Sequence, residues 1–239
     1  ASDVYKRQGE GGQQSSPVVA DGRVYFGAFD HGVYAVDAGS GEVIWRYSTA
    51  GGILSSPYLA DGILFIGSMD KHLHAIDVET GERKWAFKTD DTVFSSPLVA
   101  NGLVFFGSDD FSVYALDART GVVKWRYQTD GKVFSSPAIV NDSLYIGSDD
   151  GYLYALNAIN GTVQWKTSLN GRVLGSAAIS GDGLYIGSSD GYLYALNNKN
   201  GKIAWRYHIG DKVWSSPSVV DNVIYVGAHD GFVYALEAK

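Results

Sequence analysis

The chain has 239 residues, of which 45% are hydrophobic, so it is long enough to bury a full core as one large all-β domain or as two ordinary domains. Its 30 glycines and its 13% of aromatic residues are typical of many tight turns that join aromatic-rich strands. A net charge of −7 argues against non-specific binding to nucleic acid, and the absence of cysteine excludes disulfides, zinc–thiolate sites and cysteine nucleophiles.

The segment 1–10 stands apart from the rest of the chain. It lacks the apolar stretch of a secretory signal peptide, and the whole sequence has no run of about 18 apolar residues, so no membrane span is predicted. Two interpretations of this segment stay open. In one, residues 4–8 supply the closing strand of the last repeat. In the other, DVYKRQ is a cloning scar on a truncated gene, because it resembles the translated end of a transposon used to prepare sequencing libraries; upstream repeats and a signal peptide are then missing.

The rest of the chain repeats itself every forty residues, with repeats that start near 13, 53, 93, 133, 173 and 213. An aspartate recurs in all six copies and a tryptophan in five, without slippage, which is the signature of a repeat architecture. The aspartates are Asp30, Asp70, Asp110, Asp150, Asp190 and Asp230. The tryptophans are Trp45, Trp85, Trp125, Trp165 and Trp205.

Each repeat predicts four β-strands. In the fourth repeat they are VFSSPAIV, LYIGS, YLYALN and TVQWKTS, separated by the turn sequences NDS, DDG and AING. A single four-stranded sheet cannot bury two apolar faces, so the copies must cover each other face to face. The predicted fold class is therefore all-β: a six-bladed β-propeller of four-stranded antiparallel blades in forty-residue repeats. Residues 1–239 are expected to form a single domain, and the protein is expected to be a monomer.

Five segments carry a resemblance to a known family: AVDAGSGEVIW, AIDVETGERKW, ALDARTGVVKW, ALNAINGTVQW and ALNNKNGKIAW. They resemble the A-x-D-x-x-T-G-x-x-x-W tryptophan-docking motif of PQQ-like (pyrroloquinoline quinone) repeat propellers. The resemblance covers the chain from about residue 11. It implies a bacterial-type propeller, usually of seven or eight blades, in a periplasmic, cell-surface or secreted setting. Its members include quinoprotein dehydrogenases, which bind PQQ and calcium, and non-catalytic propellers such as the outer-membrane assembly lipoprotein and sensor domains of kinases.

The residues favour the non-catalytic members of this family. The dehydrogenases use a vicinal disulfide against the cofactor, whereas this chain has no cysteine and is less than half their usual length. A single catalytic site would use different residues in different blades, whereas the aspartates recur in all six repeats. They are therefore interpreted as Asx-type turn residues and the tryptophans as packing between blades. No catalytic residue and no cofactor are predicted.

Function is expected where the copies differ. In the loops that precede the first strand of each repeat, Lys132, Arg172 and Lys212 occupy one repeat position and predict a basic arc for an anionic ligand or an acidic peptide. The alternative is three solvated loop cations.

Apolar residues mark a second set of loops, between the second and third strands of the first three repeats. Phe29, Met69 and Phe111 predict a contact patch, with partial burial against neighbouring loops as the alternative. Trp214 replaces the leucine or phenylalanine that four other repeats carry, and it either packs between blades or lines the funnel at the centre of the propeller.

The five histidines suggest no metal site. His72 and His74 share one face of a strand, and His74 takes a tyrosine position of other repeats, so it is expected to pack like a tyrosine. Two ligands are too few for a metal centre, and no metal is predicted.

These observations predict a non-catalytic scaffold or assembly factor that binds a protein or peptide through one loop face, outside the cytoplasm. Two alternatives stay open. One is a fragment of a quinone-dependent dehydrogenase, which would bind PQQ and calcium. The other is the extracytoplasmic sensor domain of a larger signalling protein.

Overall fold

The computed structural model describes residues 15–238, and this part of the chain contains 23 β-strands and no helix. The first repeat holds β1 (Val18–Ala20), β2 (Arg23–Gly27), β3 (Gly32–Asp37) and β4 (Val43–Ser48). The second holds β5 (Tyr58–Ala60), β6 (Ile63–Gly67), β7 (His72–Asp77) and β8 (Arg83–Lys88). The third holds β9 (Leu98–Ala100), β10 (Leu103–Ser108), β11 (Ser112–Asp117) and β12 (Val123–Gln128).

The remaining repeats follow the same order. The fourth holds β13 (Ala138–Val140), β14 (Ser143–Gly147), β15 (Tyr152–Asn157) and β16 (Val163–Ser168). The fifth holds β17 (Ala178–Ser180), β18 (Gly183–Gly187), β19 (Tyr192–Asn197) and β20 (Ile203–His208). The sixth holds β21 (Ser218–Val220), β22 (Val223–Gly227) and β23 (Val233–Glu237).

Each repeat forms one antiparallel sheet in which neighbouring strands follow chain order. Five sheets have four strands, and the sixth has three within residues 15–238. The fold class predicted from the sequence, an all-β propeller of six antiparallel blades in forty-residue repeats, is confirmed. The predicted closing strand at residues 4–8 lies outside the described residues. No helix in the described part of the chain is long and apolar enough to cross a membrane.

The first strand of each repeat is shorter than predicted. VFSSPAIV was expected to be extended and paired throughout, but only Ala138–Val140 pairs with β14. Pro137 has no N–H to donate to a ladder. The serines before it bond to the next repeat instead: the Ser135 hydroxyl donates to the Gly175 carbonyl (3.0 Å), and the Ser136 N–H donates to Ser176 Oγ (3.2 Å).

The same serine bond recurs along the chain, always between residues one repeat apart. The Ser16 and Ser56 amides donate to Ser56 Oγ and Ser96 Oγ (2.9 Å each), and the Ser176 amide donates to Ser216 Oγ (2.9 Å). These bonds join the starts of consecutive repeats.

The strand register explains the recurring alanine of the family motif. In the fourth sheet Tyr145 lies opposite Ala155, and Ala155 lies opposite Trp165 on the next strand. Because the alanine between them is small, the two rings approach to 5.7 Å between centroids. A larger side chain at Ala155 would separate them.

The chain divides into two compact units, with a boundary inside the third repeat. The first extends to Val104 and includes 108–110 and 116–122; the second holds 105–107, 111–115 and everything from Val123 on. In the first unit the first two sheets share a core that includes Val33, Ile53 and Leu64, all fully buried. In the second unit the fourth and fifth sheets pack in the same way through Leu153 and Leu184. Within each unit the sheets therefore cover each other face to face.

Candidate functional site: the loops beside the first strands

The recurring tryptophans bind the turn of the following repeat. In four repeats the indole Nε1–H donates to a backbone carbonyl there: Trp45 to Val78 (2.9 Å), Trp85 to Ala118 (3.1 Å), Trp125 to Ala158 (2.9 Å) and Trp165 to Asn198 (3.0 Å). Trp205 packs against Tyr185 with ring centroids 6.1 Å apart. These bonds join each sheet to the turn of the following repeat and occupy the one hydrogen-bond donor of each of the four indoles.

The recurring aspartates are hydrogen-bonded inside the turn that precedes the third strand. Asp150 Oδ1 accepts the Tyr152 N–H (2.9 Å), while Oδ2 accepts the Tyr154 hydroxyl (2.7 Å) and the Asp130 N–H (3.1 Å). Burial and this neighbouring carboxylate raise the pKa of Tyr154. Asp30, Asp190 and Asp230 bond the tyrosine four residues on in the same way. The carboxylates are occupied by these contacts.

Two sets of loops meet at one edge of each sheet. In the second unit the backbone carbonyls of Lys132, Arg172 and Lys212 accept the N–H groups of Asp149 (2.8 Å), Ser189 (3.0 Å) and His229 (3.0 Å). Each acceptor precedes the first strand of a repeat, and each donor lies between the second and third strands. The two sets of loops are therefore joined by a backbone hydrogen bond in each of three repeats.

Arg172 is paired within the chain. Its Nη2 donates to Asp149 Oδ2 at 2.6 Å, and the Arg172 side chain is 47% exposed. Part of the positive charge of the predicted basic arc is therefore offset by Asp149, a residue that the sequence interpretation did not connect with the arc. Opposite charges at the two facing loop positions, one repeat apart, were the signal that could have revealed this pair.

Lys132 and Lys212 each lie over an aromatic ring two residues on. Lys132 Nζ is 5.8 Å from the ring centroid of Phe134, and Lys212 Nζ is 5.2 Å from that of Trp214. Trp214 in turn contacts His229 edge to face, with ring centroids 4.2 Å apart. The half-buried Trp214 follows Val213, which is fully buried, so the two side chains point to opposite sides of the backbone.

The Trp214 indole N–H is unusual because it is buried and has no hydrogen-bond acceptor within residues 15–238. Leaving such a donor unpaired costs about 1–3 kcal/mol. Together Lys212, Trp214 and His229 present a cation, an apolar ring and an imidazole on one short stretch of loop, which we call the Trp214 cluster.

The predicted apolar residues divide between the units. In the first unit Phe29 and Met69 flank Gly52: a Cβ there would lie 3.1 Å from Phe29 Cδ1 and 3.3 Å from Met69 Sδ. Met69 is 38% exposed and Phe29 is half-buried. Phe111 belongs to the second unit and is 42% exposed. It lies two positions later in its repeat than Phe29 and Met69 lie in theirs, and its φ is +68°. The three residues therefore do not share one repeat position.

A group of possible metal ligands lies in the first unit. His74 was expected to pack like a tyrosine, and it does bond the aspartate four residues back: Nε2 lies 3.1 Å from Asp70 Oδ2, while Nδ1 lies 3.0 Å from the Tyr47 hydroxyl. The sequence interpretation counted His72 and His74 alone. The structure adds Asp70, and one ligand atom from each of the three lies within 4.8 Å of the others.

Comparisons with known proteins agree with this architecture. The model of a family described as outer membrane protein assembly factor BamB matches residues 3–55, 30–177 and 149–239. The chain is similar to the crystal structure of BamB from Moraxella catarrhalis, with a TM-score of 0.85 and 22% identity over 97% of this chain and 73% of that chain. It is also similar to the computationally designed Ika8 protein, with a TM-score of 0.82 and 17% identity over 93% of this chain and 70% of that one. No curated protein matches the chain.

Proposed function

Because the chain belongs to the PQQ-like repeat family of the outer membrane protein assembly factor BamB, we propose that it is a non-catalytic scaffold that binds a protein or peptide through its loops. The surface proposed for this contact is the loop face of the second unit, formed by Lys132, Arg172 and the Trp214 cluster. The occupant is an extended acidic peptide or loop with an apolar side chain. The family description, an assembly factor, is what supports a binding role over an enzymatic one.

The Trp214 cluster is the single observation that carries the choice of surface. Tryptophan and arginine are the residues most often found at the energetic centre of protein interfaces, and rings beside cations suit both apolar and anionic groups. The buried Trp214 N–H has no acceptor in the described chain, so a backbone carbonyl of a partner would supply one after a small movement of the ring. Such a bond recovers the free energy that the unpaired donor costs.

The electrostatics support an acidic occupant. The chain carries a net charge of −7, yet three cations lie at equivalent loop positions of consecutive repeats. Arg172 is half-exposed and already holds one carboxylate at 2.6 Å, so its geometry suits exchange or sharing with a carboxylate of a partner. Local positive charge on an acidic protein raises the rate of association with acidic partners and disfavours others.

The binding test uses peptides selected from a displayed random library against the immobilised chain. We expect the selected sequences to be enriched in Asp and Glu beside an aromatic or aliphatic residue. The double variant Lys132→Glu/Lys212→Glu should weaken the binding of a selected peptide by about tenfold or more in fluorescence anisotropy, since each lost contact is worth roughly 1 kcal/mol.

The matched control is Lys202→Glu, which changes the charge of an exposed lysine in the turn before β20. At the same salt concentration, this variant should bind the selected peptide with the affinity of the unmodified chain. Selected peptides without acidic residues, or equal losses in the control and the double variant, would contradict the proposed surface. Trp214→Ala, measured in the same assay, tests the aromatic part of the cluster separately.

A second titration distinguishes this function from that of a quinone-dependent dehydrogenase. The proposal includes no cofactor, so PQQ added with calcium should give no stoichiometric heat and no change in the quinone absorbance. Tight binding of one equivalent would overturn the non-catalytic assignment.

We also propose that the protein works outside the cytoplasm, in keeping with the outer-membrane role in the family description. The sequence of the gene upstream of residue 1 tests this. A signal peptide or lipobox is expected there, whereas an in-frame cytoplasmic domain with no leader would contradict it.

A further inference from the structure

The second repeat differs from the other five at two positions that face the same carboxylate. The position of His74 is tyrosine in all the other repeats: Tyr34, Tyr114, Tyr154, Tyr194 and Tyr234. The position of His72 holds glycine, serine, tyrosine, tyrosine and phenylalanine in them. A structural role explains His74, because it keeps the bond to the aspartate. His72 adds a second imidazole beside the same carboxylate, and its Nδ1 also bonds the Asp70 backbone carbonyl (2.9 Å).

The three side chains converge closely. His74 Nε2 lies 3.2 Å from Asp70 Oδ1 and 3.1 Å from Oδ2, and His72 Nδ1 lies 3.3 Å from Oδ1. An ion bound about 2.0–2.2 Å from three ligand atoms requires them to be roughly 3.0–3.5 Å apart. Two of the three separations already meet this requirement, and the third is at most 4.8 Å. Closing it requires the partly exposed His72 ring to rotate and to give up the bond between its Nδ1 and the Asp70 backbone carbonyl (2.9 Å).

The burial of the three groups is suited to an ion with open coordination positions. The side chains of Asp70 and His74 are only 7% and 6% exposed, whereas that of His72 is 30% exposed. An ion held by the two buried ligands would therefore reach solvent on the side of His72. The nearest lysine in sequence, Lys71, is directed away: its Nζ bonds the Asp90 carbonyl at 3.0 Å and lies 3.7 Å from Asp91 Oδ1.

Contacts behind the ligands hold them in place. Without a metal, His74 Nε2 carries the proton that bonds Asp70. When a metal binds, that proton moves to Nδ1, which donates it to the Tyr47 hydroxyl 3.0 Å away and leaves Nε2 to the ion. Asp70 accepts the Ala50 N–H at Oδ2 (3.1 Å) and the His72 N–H at Oδ1 (3.1 Å). Partners of this kind orient metal ligands and fix the tautomer of a ligating histidine.

We propose that Asp70, His72 and His74 form a binding site for one divalent transition-metal ion of the zinc type. Two imidazoles and one carboxylate are ligands that Zn²⁺ takes in proteins, with water completing the coordination. The site lies wholly in the first unit, and it is independent of the peptide-binding surface proposed above.

The test is calorimetric titration of ZnCl₂ into the full, untagged chain after treatment with EDTA and dialysis. One equivalent should bind, and the melting temperature should rise with added Zn²⁺. His72→Tyr and His74→Tyr should each weaken the binding by at least tenfold. Both variants place a residue that other repeats carry at the same position, as in Tyr152 and Tyr154, so they preserve the fold.

The matched control is His208→Gln, at a position where the third repeat has Gln128. It should bind Zn²⁺ as the unmodified chain does. The absence of a one-equivalent step in the unmodified chain, unchanged binding by His74→Tyr, or an equal loss in the control would each overturn the proposal. If a tyrosine variant fails to fold, long-range ¹H–¹⁵N spectra of the unmodified chain decide: Zn²⁺ must shift the ring nitrogens of His72 and His74 and leave those of His208 unchanged.

Discussion

A half-buried carboxylate bonded to a phenol is the unit that most of the repeats share at the scale of single residues. Asp150 accepts the hydroxyl of Tyr154 at 2.7 Å, and Tyr154 is only 1% exposed. A half-buried carboxylate that loses a donor is left with less hydrogen bonding than it would have in water, and this costs free energy. The tyrosine therefore contributes through its hydroxyl as well as through its ring.

Removal of that hydroxyl gives the first prediction. Tyr154→Phe should lower the free energy of unfolding by about 1–3 kcal/mol, because Asp150 loses one of its donors. The control is Tyr152→Phe, whose hydroxyl makes no hydrogen bond within residues 15–238, and which should change stability by less than about 0.5 kcal/mol. Urea unfolding followed by tryptophan fluorescence measures both. Equal effects of the two variants would show that the bond adds nothing.

A second prediction concerns Asp77, in the turn before β8. Lys84 Nζ lies 2.7 Å from its Oδ2, and Oδ1 accepts the N–H groups of Glu79 (3.0 Å) and Thr80 (3.1 Å). The bond from Lys84 and these turn contacts lower the pKa of Asp77 to about 2. Since the pKa of Asp77 falls on folding, the ionised carboxylate stabilises the folded chain. This contribution to the free energy of unfolding is complete above about pH 4 and is lost as the pH falls towards 2.

The variant Asp77→Asn isolates this contribution. Asn157 and Asn197 hold the equivalent turns of later repeats, so asparagine preserves the turn. The stability difference between the two proteins should be a few tenths of a kcal/mol at pH 6, because the pair is exposed, and it should shrink between pH 4 and 2. Urea unfolding at several pH values measures it, together with a carboxyl NMR titration. A difference that grows on acidification would contradict the assignment.

At the scale of elements, the turn glycine before the fourth strand lies against the tryptophan of the preceding repeat in the second to fifth repeats. Gly161 has φ +73°, and a Cβ on it would lie 2.7 Å from Trp125 Cδ2. The position therefore excludes other residues twice, through its backbone conformation and through the ring against it. This explains why the glycine and the tryptophan, four residues apart in one repeat, recur together: the contact joins each glycine to the tryptophan of its neighbour.

Substitution of two glycines by alanine separates the cost of the backbone conformation from the cost of the contact with the indole. Gly181 also has positive φ (+57°), but a Cβ there would meet nothing within 4 Å. Gly181→Ala should cost about 1–2 kcal/mol from the backbone alone, and Gly161→Ala should cost about 1–3 kcal/mol more from displacement of the indole. Thermal and urea unfolding measure the difference. Similar losses at the two sites would show that the indole moves aside freely.

The elements were largely predictable because the alternation of apolar residues and the turn glycines repeat six times. The second, third and fourth strands of the fourth repeat lie where the sequence predicts them, at β14, β15 and β16. The first strand was predicted too long, because VFSSPAIV looks equally extended whether its amides pair with a strand or with a serine forty residues away. Hydrophobic pattern alone does not reveal where a backbone bond goes.

At the scale of the whole molecule, burial is uneven between equivalent strands. The central residues of β19, Leu193–Leu196, are all buried, whereas β23 alternates between exposed and half-buried, with Val233 76% exposed. Strands with less buried apolar surface open more often. The sixth repeat is therefore expected to be the least stable of those from the fourth onwards.

Amide hydrogen exchange tests this expectation. Residues of β23 should exchange at least about tenfold faster than their counterparts in β19, which corresponds to about 1.4 kcal/mol of opening free energy. Strand β15 has the same burial pattern as β19 and should exchange like it. Equal protection of β19 and β23 would contradict a gradient of stability.

Sequence and structure diverge most at the candidate sites. Lys132, Arg172 and Lys212 could be aligned by period. The Arg172–Asp149 bond joins side chains of two repeats, and its one signal in the sequence is the opposite charge at facing loop positions. Asp70 was dismissed as one of six equivalent turn residues, although two histidines beside it make its surroundings unlike the rest. Repetition makes the framework easy to predict, and it conceals the copies that have changed.

The serine bonds between repeat starts have a consequence for how such genes change in length. The donor and the acceptor of each bond are both serines and lie forty residues apart, as in Ser56 to Ser96 and Ser176 to Ser216. Unequal recombination that adds or deletes one whole forty-residue repeat therefore leaves a serine donor opposite a serine acceptor at the new boundary between repeats. An insertion of any other length within these segments separates the serine donor from its acceptor. Lineages can therefore gain or lose whole repeats and keep the serine bonds between repeat starts.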